Sequence, residues 1–233
     1  YSYASVSCNT ASMTLDKAGL VLNTGGITPD VVELRQDGTL KYRFTYVAPG
    51  TKLSVLNGYY DITLKRGGMQ TQLSHVLCLG DPMELMIGVK TLTVNYPGVT
   101  SVNTVTVSQG GVSVARKDWT NESASFVVFD NGLSYDVVVQ KGGMSYMGSI
   151  TTENAVLDVP VVDLIANYPG AESVNTVTVS QNGAQLWRRD WTNDTTRFKV
   201  FDIGGSYQVN VQKGGMTYQC TAEYKSEPNR YVF

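Results

Sequence analysis

The chain has 233 residues, of which 42% are hydrophobic and 16% charged, and its formal net charge is −2. Soluble chains usually contain about a quarter charged residues, so polar but uncharged side chains must cover much of this surface. The lack of a basic excess argues against nucleic acid as a partner. The sequence contains no run of about 18 apolar residues, the length that predicts a transmembrane helix.

The N-terminal stretch "YSYASVS" begins with Tyr1 rather than Met and carries no charge. Such a start is typical of a mature protein after removal of a signal peptide, although a trimmed fragment would look the same. We therefore expect a secreted, extracellular protein at the cell surface.

An internal repeat organises the chain. Residues 95–146 align with residues 167–218 without a gap at an offset of 72, and 34 of the 52 positions are identical. A more divergent copy comes first, because "LKRGGM" at 64–69 matches "VQKGGM" at 139–144 and 211–216. The sequence therefore predicts three repeat domains, 1–82, 83–155 and 156–233. The alternative is that the first is an unrelated domain with a similar loop.

The repeats have the polar–apolar alternation of β-strands. In "SYQVNVQK", Tyr207, Val209 and Val211 alternate with polar residues, the period of a half-buried strand. The dipeptides Gly214–Gly215 and Asn182–Gly183 lie between such runs, where a two-residue hairpin turn needs positive φ at both positions. We predict an all-β fold of three tandem small β-sandwich repeats.

The hairpin at Gly214–Gly215 also predicts which side chains share a face. Met216, Tyr218 and Cys220 would lie opposite Lys213, Val211 and Val209, and cross-strand partners share a face of the sheet. We therefore expect all three to point into the core, with Cys220 a buried thiol.

The other two cysteines flank the first repeat. Cys8 precedes its first strand and Cys78 follows its last, so a disulfide between them would close a loop of about 70 residues and contribute roughly 4 kcal/mol. The alternative is two separate thiols.

Units of this kind, joined by "LCLGDPMEL" and "TTENAVLDV", resemble the tandem immunoglobulin-like or prealbumin-like β-sandwich repeats of bacterial and archaeal surface proteins. The resemblance covers nearly the whole chain and rests on architecture and turn spacing. It implies a stalk, adhesin, surface-layer or filament role, and it carries over no catalytic residue.

The residues offer little chemistry. His75 is the only histidine, which removes most catalytic triads and His-rich metal sites, so we expect neither an enzyme nor a cofactor. Solvated turn residues are the default interpretation of the repeated acids, and calcium binding or acid–base catalysis are the alternatives. These acids are Asp118 and Asp190, Glu122 and Asp194, and Asp130 and Asp202.

Two sequons and three tryptophans are candidates for surface roles. Asn121 and Asn193 each begin an N-x-[ST] sequence and predict N-glycosylation; the alternative is a duplicated polar loop. Trp119 and Trp191 are assigned to the core. Trp187 aligns with Ala115, so we expect it on an exposed surface that binds polysaccharide or a host surface.

Both chain ends are predicted to be unpaired β-forming tails that contact other subunits. The residues concerned are Tyr1, Tyr3, Tyr231, Val232 and Phe233. A tail that adds a strand to a neighbouring copy would build a filament from head-to-tail contacts; alternatively, the tails pair within their own units. The sequence thus favours an extracellular subunit that self-assembles into a filament, sheath or surface layer, with a cell-surface adhesin or carbohydrate-binding stalk module as the alternative.

Overall fold

A computed structural model of the chain describes residues 15–80, 82–225 and 230–232. All regular secondary structure within these residues is β-strand. The predicted all-β class is therefore confirmed. Contacts divide the chain into two compact units, one of Tyr1–Arg66 with Gln70–Gly88 and one of Gly67–Met69 with Val89–Phe233. The three-repeat division stays a prediction.

The first unit is built from two sheets with strand orders β4-β1-β7 and β3-β2-β5-β6. Strand β7 runs parallel to β1, whereas β4 runs antiparallel to it. The strands are β1 (Lys17–Asn23), β2 (Val31–Gln36), β3 (Thr39–Thr45), β4 (Lys52–Leu56), β5 (Gly58–Arg66), β6 (Met69–Cys78) and β7 (Met83–Met86).

The second unit begins with the same arrangement, in sheets of order β11-β8-β14 and β10-β9-β12-β13. Its strands up to this point are β8 (Val89–Asn95), β9 (Val102–Gln109), β10 (Val112–Thr120), β11 (Ser123–Phe129), β12 (Ser134–Lys141), β13 (Met144–Thr151) and β14 (Val156–Asp158). Strand β14 runs parallel to β8, as β7 does to β1.

The last seven strands form one sheet of order β17-β16-β19-β20-β21-β15-β18. They are β15 (Val161–Asn167), β16 (Val174–Gln181), β17 (Ala184–Thr192), β18 (Thr195–Phe201), β19 (Tyr207–Lys213), β20 (Met216–Lys225) and β21 (Arg230–Val232). Strands that belong to two separate sheets in the preceding copy are joined here, because β21 pairs with both β20 and β15.

The core follows the predicted period of two. In β9 and β12, Val105, Val107, Val137 and Val139 have no exposed area, and polar residues alternate with them. Each sheet therefore buries one face, as the sheets of a β-sandwich do.

A buried tyrosine fixes the same corner in each set of strands. The Tyr60 hydroxyl donates to the Leu56 carbonyl at 3.0 Å, and Tyr135 donates to the Phe129 carbonyl at 2.9 Å. Tyr207 repeats the bond of Tyr135. Burial raises the pKa of Tyr135 to about 12, so its hydroxyl stays protonated as a donor. Immunoglobulin-like sandwiches use a tyrosine in this way.

The two kinds of hairpin turn differ in a way that the sequence did not reveal. Asn182 and Gly183 have φ of 51° and 78°, so the predicted positive φ at both positions is confirmed there. In the "KGGM" turns, Gly142 and Gly214 have positive φ but Gly143 and Gly215 do not. The prediction for the second glycine was wrong, because one positive φ at the first position suffices for a primed turn of the other type.

The register predicted for the last hairpin is confirmed, but the burial is not. Met216 pairs with Lys213, Tyr218 with Val211, and Cys220 with Val209. Met216 is nevertheless 73% exposed and Tyr218 67% exposed. Cys220 is half-buried, and this partial burial raises the pKa of its thiol. Sharing a face is thus not enough to bury a residue when that part of the face lacks a neighbour.

The remaining cysteine prediction stays open. Cys78 is fully buried at the end of β6, and burial raises the pKa of its thiol. Cys8 lies outside the described residues, so the disulfide stays a prediction.

The C-terminal tail is not unpaired, which corrects the expectation for Tyr231 and Val232. In β21, Tyr231 pairs with Tyr224 of β20 on one side and with Leu164 of β15 on the other. Both backbone edges of this strand are therefore used within its own copy. Tyr1, Tyr3 and Phe233 lie outside the described residues.

Candidate interaction surfaces

The hairpin tip Lys141–Met144, here called the inner tip, is buried against strands of the next repeat copy. Lys141 is 5% exposed and Met144 1% exposed. The Tyr207 hydroxyl donates to the Met144 sulfur at 3.5 Å, and Asn182 Nδ2 donates to the Gly143 carbonyl at 3.3 Å. The inner tip thus lies on the β16–β17 hairpin, here called the receiving hairpin (Gln181–Trp187).

Close packing explains both glycines of the inner tip. A Cβ on Gly143 would overlap the carbonyl oxygen of Gln181, and a Cβ on Gly142 would lie 2.7 Å from Leu186 Cδ2. Backbone cannot move aside as a flexible side chain can. Gly143 is therefore required by the contact with the receiving hairpin and not by its own φ.

Lys141 connects the inner tip to an aromatic ring. Its Nζ donates to the Thr100 carbonyl at 2.6 Å and lies 4.0 Å from the centre of the Trp187 ring. A cation this close to an indole face is attracted to it, more strongly where water is excluded. Burial lowers the pKa of Lys141, since desolvation disfavours the ammonium.

Trp187 is therefore not the exposed aromatic that the alignment predicted. It is half-buried, and its Nε1 donates to the Lys199 carbonyl at 2.8 Å. The substitution of tryptophan for the Ala115 of the previous copy serves the contact with Lys141. A gapless alignment cannot reveal such a contact.

The same sequence at the end of the chain lies in a different environment. The terminal tip (Lys213–Met216) has no other atom within 4 Å of a Cβ placed on Gly214 or Gly215. Lys213 is exposed, as are Met216 and Tyr218. Because the six residues of "VQKGGM" are identical in both copies, the difference comes from the receiving hairpin, which only the inner tip contacts.

Three aromatic side chains are exposed at one repeated position. Tyr46 is 77% exposed, Trp119 70% and Trp191 73%. Trp119 and Trp191 lie in β10 and β17, and Tyr46 directly follows β3, each seven residues after the first residue of that strand. Their φ angles are 52° for Tyr46, 53° for Trp119 and 56° for Trp191. The assignment of Trp119 and Trp191 to the core, which rested on the tendency of small sandwiches to bury a tryptophan, was wrong. The left-handed backbone at both positions takes the side chain out of the regular alternation of the strand. The sequence did not point to Tyr46, because the first copy is too divergent from the other two to align this position with the tryptophans.

The two sequons begin two residues after the exposed tryptophans. Asn121 and Asn193 are exposed, and their Oδ1 atoms accept hydrogen bonds from the Ser101 and Ser173 amides at 2.7 and 2.6 Å. These bonds hold both asparagine side chains in matching positions. Glycosylation stays a prediction.

A partly open cleft of about 300 Å³ lies beside Trp187 in the second unit. Arg189, Arg197 and Lys199 line it together with Asp163, which forms an ion pair with Lys199 at 3.1 Å. The charged side chains of the cleft are therefore mostly cationic.

The described residues bring together little catalytic or metal-binding chemistry. The His75 ring stacks on Tyr59 with 4.4 Å between ring centres, and its backbone amide donates to Asp61. Asp118 and Asp190 form exposed ion pairs with Arg116 and Arg188. Within residues 15–80, 82–225 and 230–232, no group of three or more His, Cys, Asp or Glu side chains is placed to hold a metal.

No family model and no curated protein sequence match the chain. It is similar to the Bacillus anthracis TIE protein at 12% identity and a TM-score of 0.23, over 91% of this chain and 48% of that one. It is also similar to the human OSCAR ligand-binding domain (15%, TM-score 0.19, 57% and 96%) and to Drosophila OTK extracellular domains 3–5 (10%, TM-score 0.16, 88% and 93%).

The chain spans about half the length of the TIE chain that it matches. Identities and TM-scores this low identify neither a family nor a function. No helix among the described residues is long and apolar enough to cross a membrane.

Proposed function

We propose that this chain is an extracellular structural subunit that assembles with copies of itself into a filament, sheath or surface layer. The observation that carries the proposal is the exposure of the terminal tip. The inner tip, with the same sequence, is buried, and its Met144 is 1% exposed against 73% for Met216. The exposed terminal tip therefore presents the same residues that the inner tip uses to bind a β-hairpin.

Two further features support an assembling subunit. Met216 and Tyr218 are large side chains with most of their area in water, and burying apolar area stabilises a contact by about 25 cal/mol per Å². The low charged fraction of 16% also favours lateral packing, because fewer ions must lose their hydration at each contact.

Self-assembly predicts association that depends on concentration. Sedimentation velocity and negative-stain electron microscopy of the purified chain across a concentration series should show larger, ordered particles as concentration rises. Deleting residues 1–7 should abolish assembly if the N-terminal tail adds a strand to its neighbour. Monomers at every concentration would contradict the proposal.

A second candidate function is supported by the three equivalent exposed aromatics. Aromatic rings are common contact surfaces in recognition because they supply a large apolar face at little entropic cost. Trp119 and Trp191 are 70% and 73% exposed, so they, rather than Trp187, are the residues with which an adhesin or carbohydrate-binding module would contact polysaccharide.

This alternative predicts a binding defect without a folding defect. The double substitution Trp119→Ala and Trp191→Ala should reduce binding to a panel of polysaccharides at least about tenfold, or about 1.4 kcal/mol. Thermal unfolding should change little because both side chains are exposed. Trp187→Ala is the contrasting variant and should instead lower stability. Unchanged polysaccharide binding by the double variant would exclude this role.

A further inference from the structure

We propose that the terminal tip of one copy docks on the β2–β3 hairpin of a second copy of this chain. The inference rests on the proposed self-assembly and names the contact that produces it. In this contact Lys213–Met216 of one molecule would lie on Gln36–Tyr42 of the next.

The inner tip supplies the precedent for the contact. It binds the receiving hairpin through the Gly143 backbone and the Lys141 ammonium, and its Met144 sulfur accepts a hydrogen bond from Tyr207 of the neighbouring β19. The terminal tip has the same residues at these three positions. The Gly214 amide also donates to Asn175 Oδ1, as the Gly142 amide donates to Asn103 Oδ1. The terminal tip is therefore already formed for docking.

The β2–β3 hairpin has the backbone of the receiving hairpin. Gln36 pairs with Thr39 as Gln181 pairs with Ala184, and each pairing flanks a two-residue turn. Asp37 and Gly38 have φ of 49° and 75°, close to the 51° and 78° of the receiving turn. Both hairpins also have a bulge at the same place, between the third-last and second-last residues of the first strand. The Gln36 carbonyl thus corresponds to the Gln181 carbonyl that Gly143 approaches.

The β9–β10 hairpin is already covered within the chain, since a Cβ on Gly68 would lie 2.6 Å from the Gln109 carbonyl oxygen. Charge and aromatic content also favour the β2–β3 hairpin. Counting from the turn, Tyr42 takes the place of Trp187 and offers a ring to the Lys213 ammonium. The corresponding residue of β10 is Ala115, which has no ring. The turn itself carries the negative Asp37, whereas the β9–β10 turn is Gly110–Gly111 and uncharged.

The β2–β3 hairpin is also exposed. Thr39 and Lys41 are exposed, Leu40 is 42% exposed, and a Cβ on Gly38 would meet no atom within 4 Å. One substitution weakens the match, since Asp37 cannot donate the hydrogen bond that Asn182 gives to the Gly143 carbonyl. Its charge instead faces a tip that carries Lys213.

The proposed contact joins two different surfaces of the chain. Each copy contributes one terminal tip and one β2–β3 hairpin, so the contact is heterologous and leaves both surfaces available at the ends of a growing assembly. Such a contact builds an open filament unless its rotation closes a ring.

Two substitutions block the two surfaces separately. Gly215→Val adds a side chain where the isolated subunit has open space and no positive φ, but where docking would bring a carbonyl oxygen. Thr39→Trp enlarges an exposed position whose counterpart, Ala184, has its Cβ 3.3 Å from the Cβ position of Gly143. Val127→Trp, at an exposed position of β11 outside all of these hairpins, is the control for adding a tryptophan to the surface.

Sedimentation velocity of these variants tests the contact. Gly215→Val and Thr39→Trp should each weaken association at least about tenfold, whereas Val127→Trp should associate as the wild type does. A mixture of the two blocked variants should form a one-to-one dimer and nothing larger, because one intact tip and one intact hairpin remain.

The other outcomes separate the inference from the function. If either blocked variant assembles like the wild type, or if Val127→Trp weakens assembly as much as they do, the proposed contact is wrong while self-assembly stands. If the wild type itself stays monomeric, both the contact and the proposed function are wrong. Circular dichroism and thermal unfolding of each variant show whether the subunit remains folded.

Discussion

Replacing Gly143 with alanine should destabilise the second unit by about 1–3 kcal/mol, the usual cost of forcing an added methyl group into a packed site. The new Cβ would overlap the Gln181 carbonyl oxygen, and the receiving hairpin would have to move away. Backbone strain does not contribute, because Gly143 does not have a positive φ. Urea unfolding monitored by tryptophan fluorescence measures the change.

Gly215→Ala is the control because it has the same neighbours in sequence. Its Cβ would meet no atom within 4 Å, so the substitution should change the free energy of unfolding little. Replacing glycine restricts the unfolded chain equally at both positions, so the difference between the variants isolates the contact. Equal effects at Gly143 and Gly215 would show that the inner tip is not bound as described.

Removing the Lys141 side chain should have a comparable or larger effect. Lys141→Ala removes the cation over the Trp187 ring and leaves the Thr100 carbonyl without its donor, while the aliphatic stem leaves a cavity. Together these losses should cost about 2–3 kcal/mol. Lys213→Ala changes an exposed side chain and should cost little. Chemical denaturation of both variants gives the comparison, and similar costs would contradict it.

The Lys141 pKa adds a dependence on pH. Burial lowers the pKa of this lysine below its usual 10.5 in the folded chain, so the unfolded chain keeps the proton to higher pH. Between the two pKa values the unfolded state binds more protons, and stability therefore rises with pH. The difference in unfolding free energy between the wild type and Lys141→Met should rise over that window. A difference that falls with pH would contradict the assigned environment.

The sequence was a good guide wherever local pattern decided the structure. The alternation in β9 and β12 predicted which valines are buried, and the dipeptide Asn182–Gly183 predicted its turn. The pairing of Cys220 with Val209 followed from counting outward from a two-residue turn. These properties depend on residues that are close in sequence or directly opposite in a hairpin.

The sequence misled where a second surface decided the outcome. Trp187 was expected outside but is held by Lys141 and Lys199, and Trp191 was expected inside but is 73% exposed. Trp191 has a left-handed φ that breaks the alternation, and no residue type signals this conformation in advance. Burial of a large side chain depends on what covers it, which a one-dimensional pattern does not contain.

The two copies of "VQKGGM" show both sides of this distinction. By itself the sequence determined that each copy forms the tip of a hairpin, since glycine between two alternating runs accepts the φ that the turn requires. Only the tertiary structure decided that Gly143 and Met144 are buried while Gly215 and Met216 are exposed. The physical reason is that the first tip meets the receiving hairpin, whereas the second has no corresponding surface within the described chain.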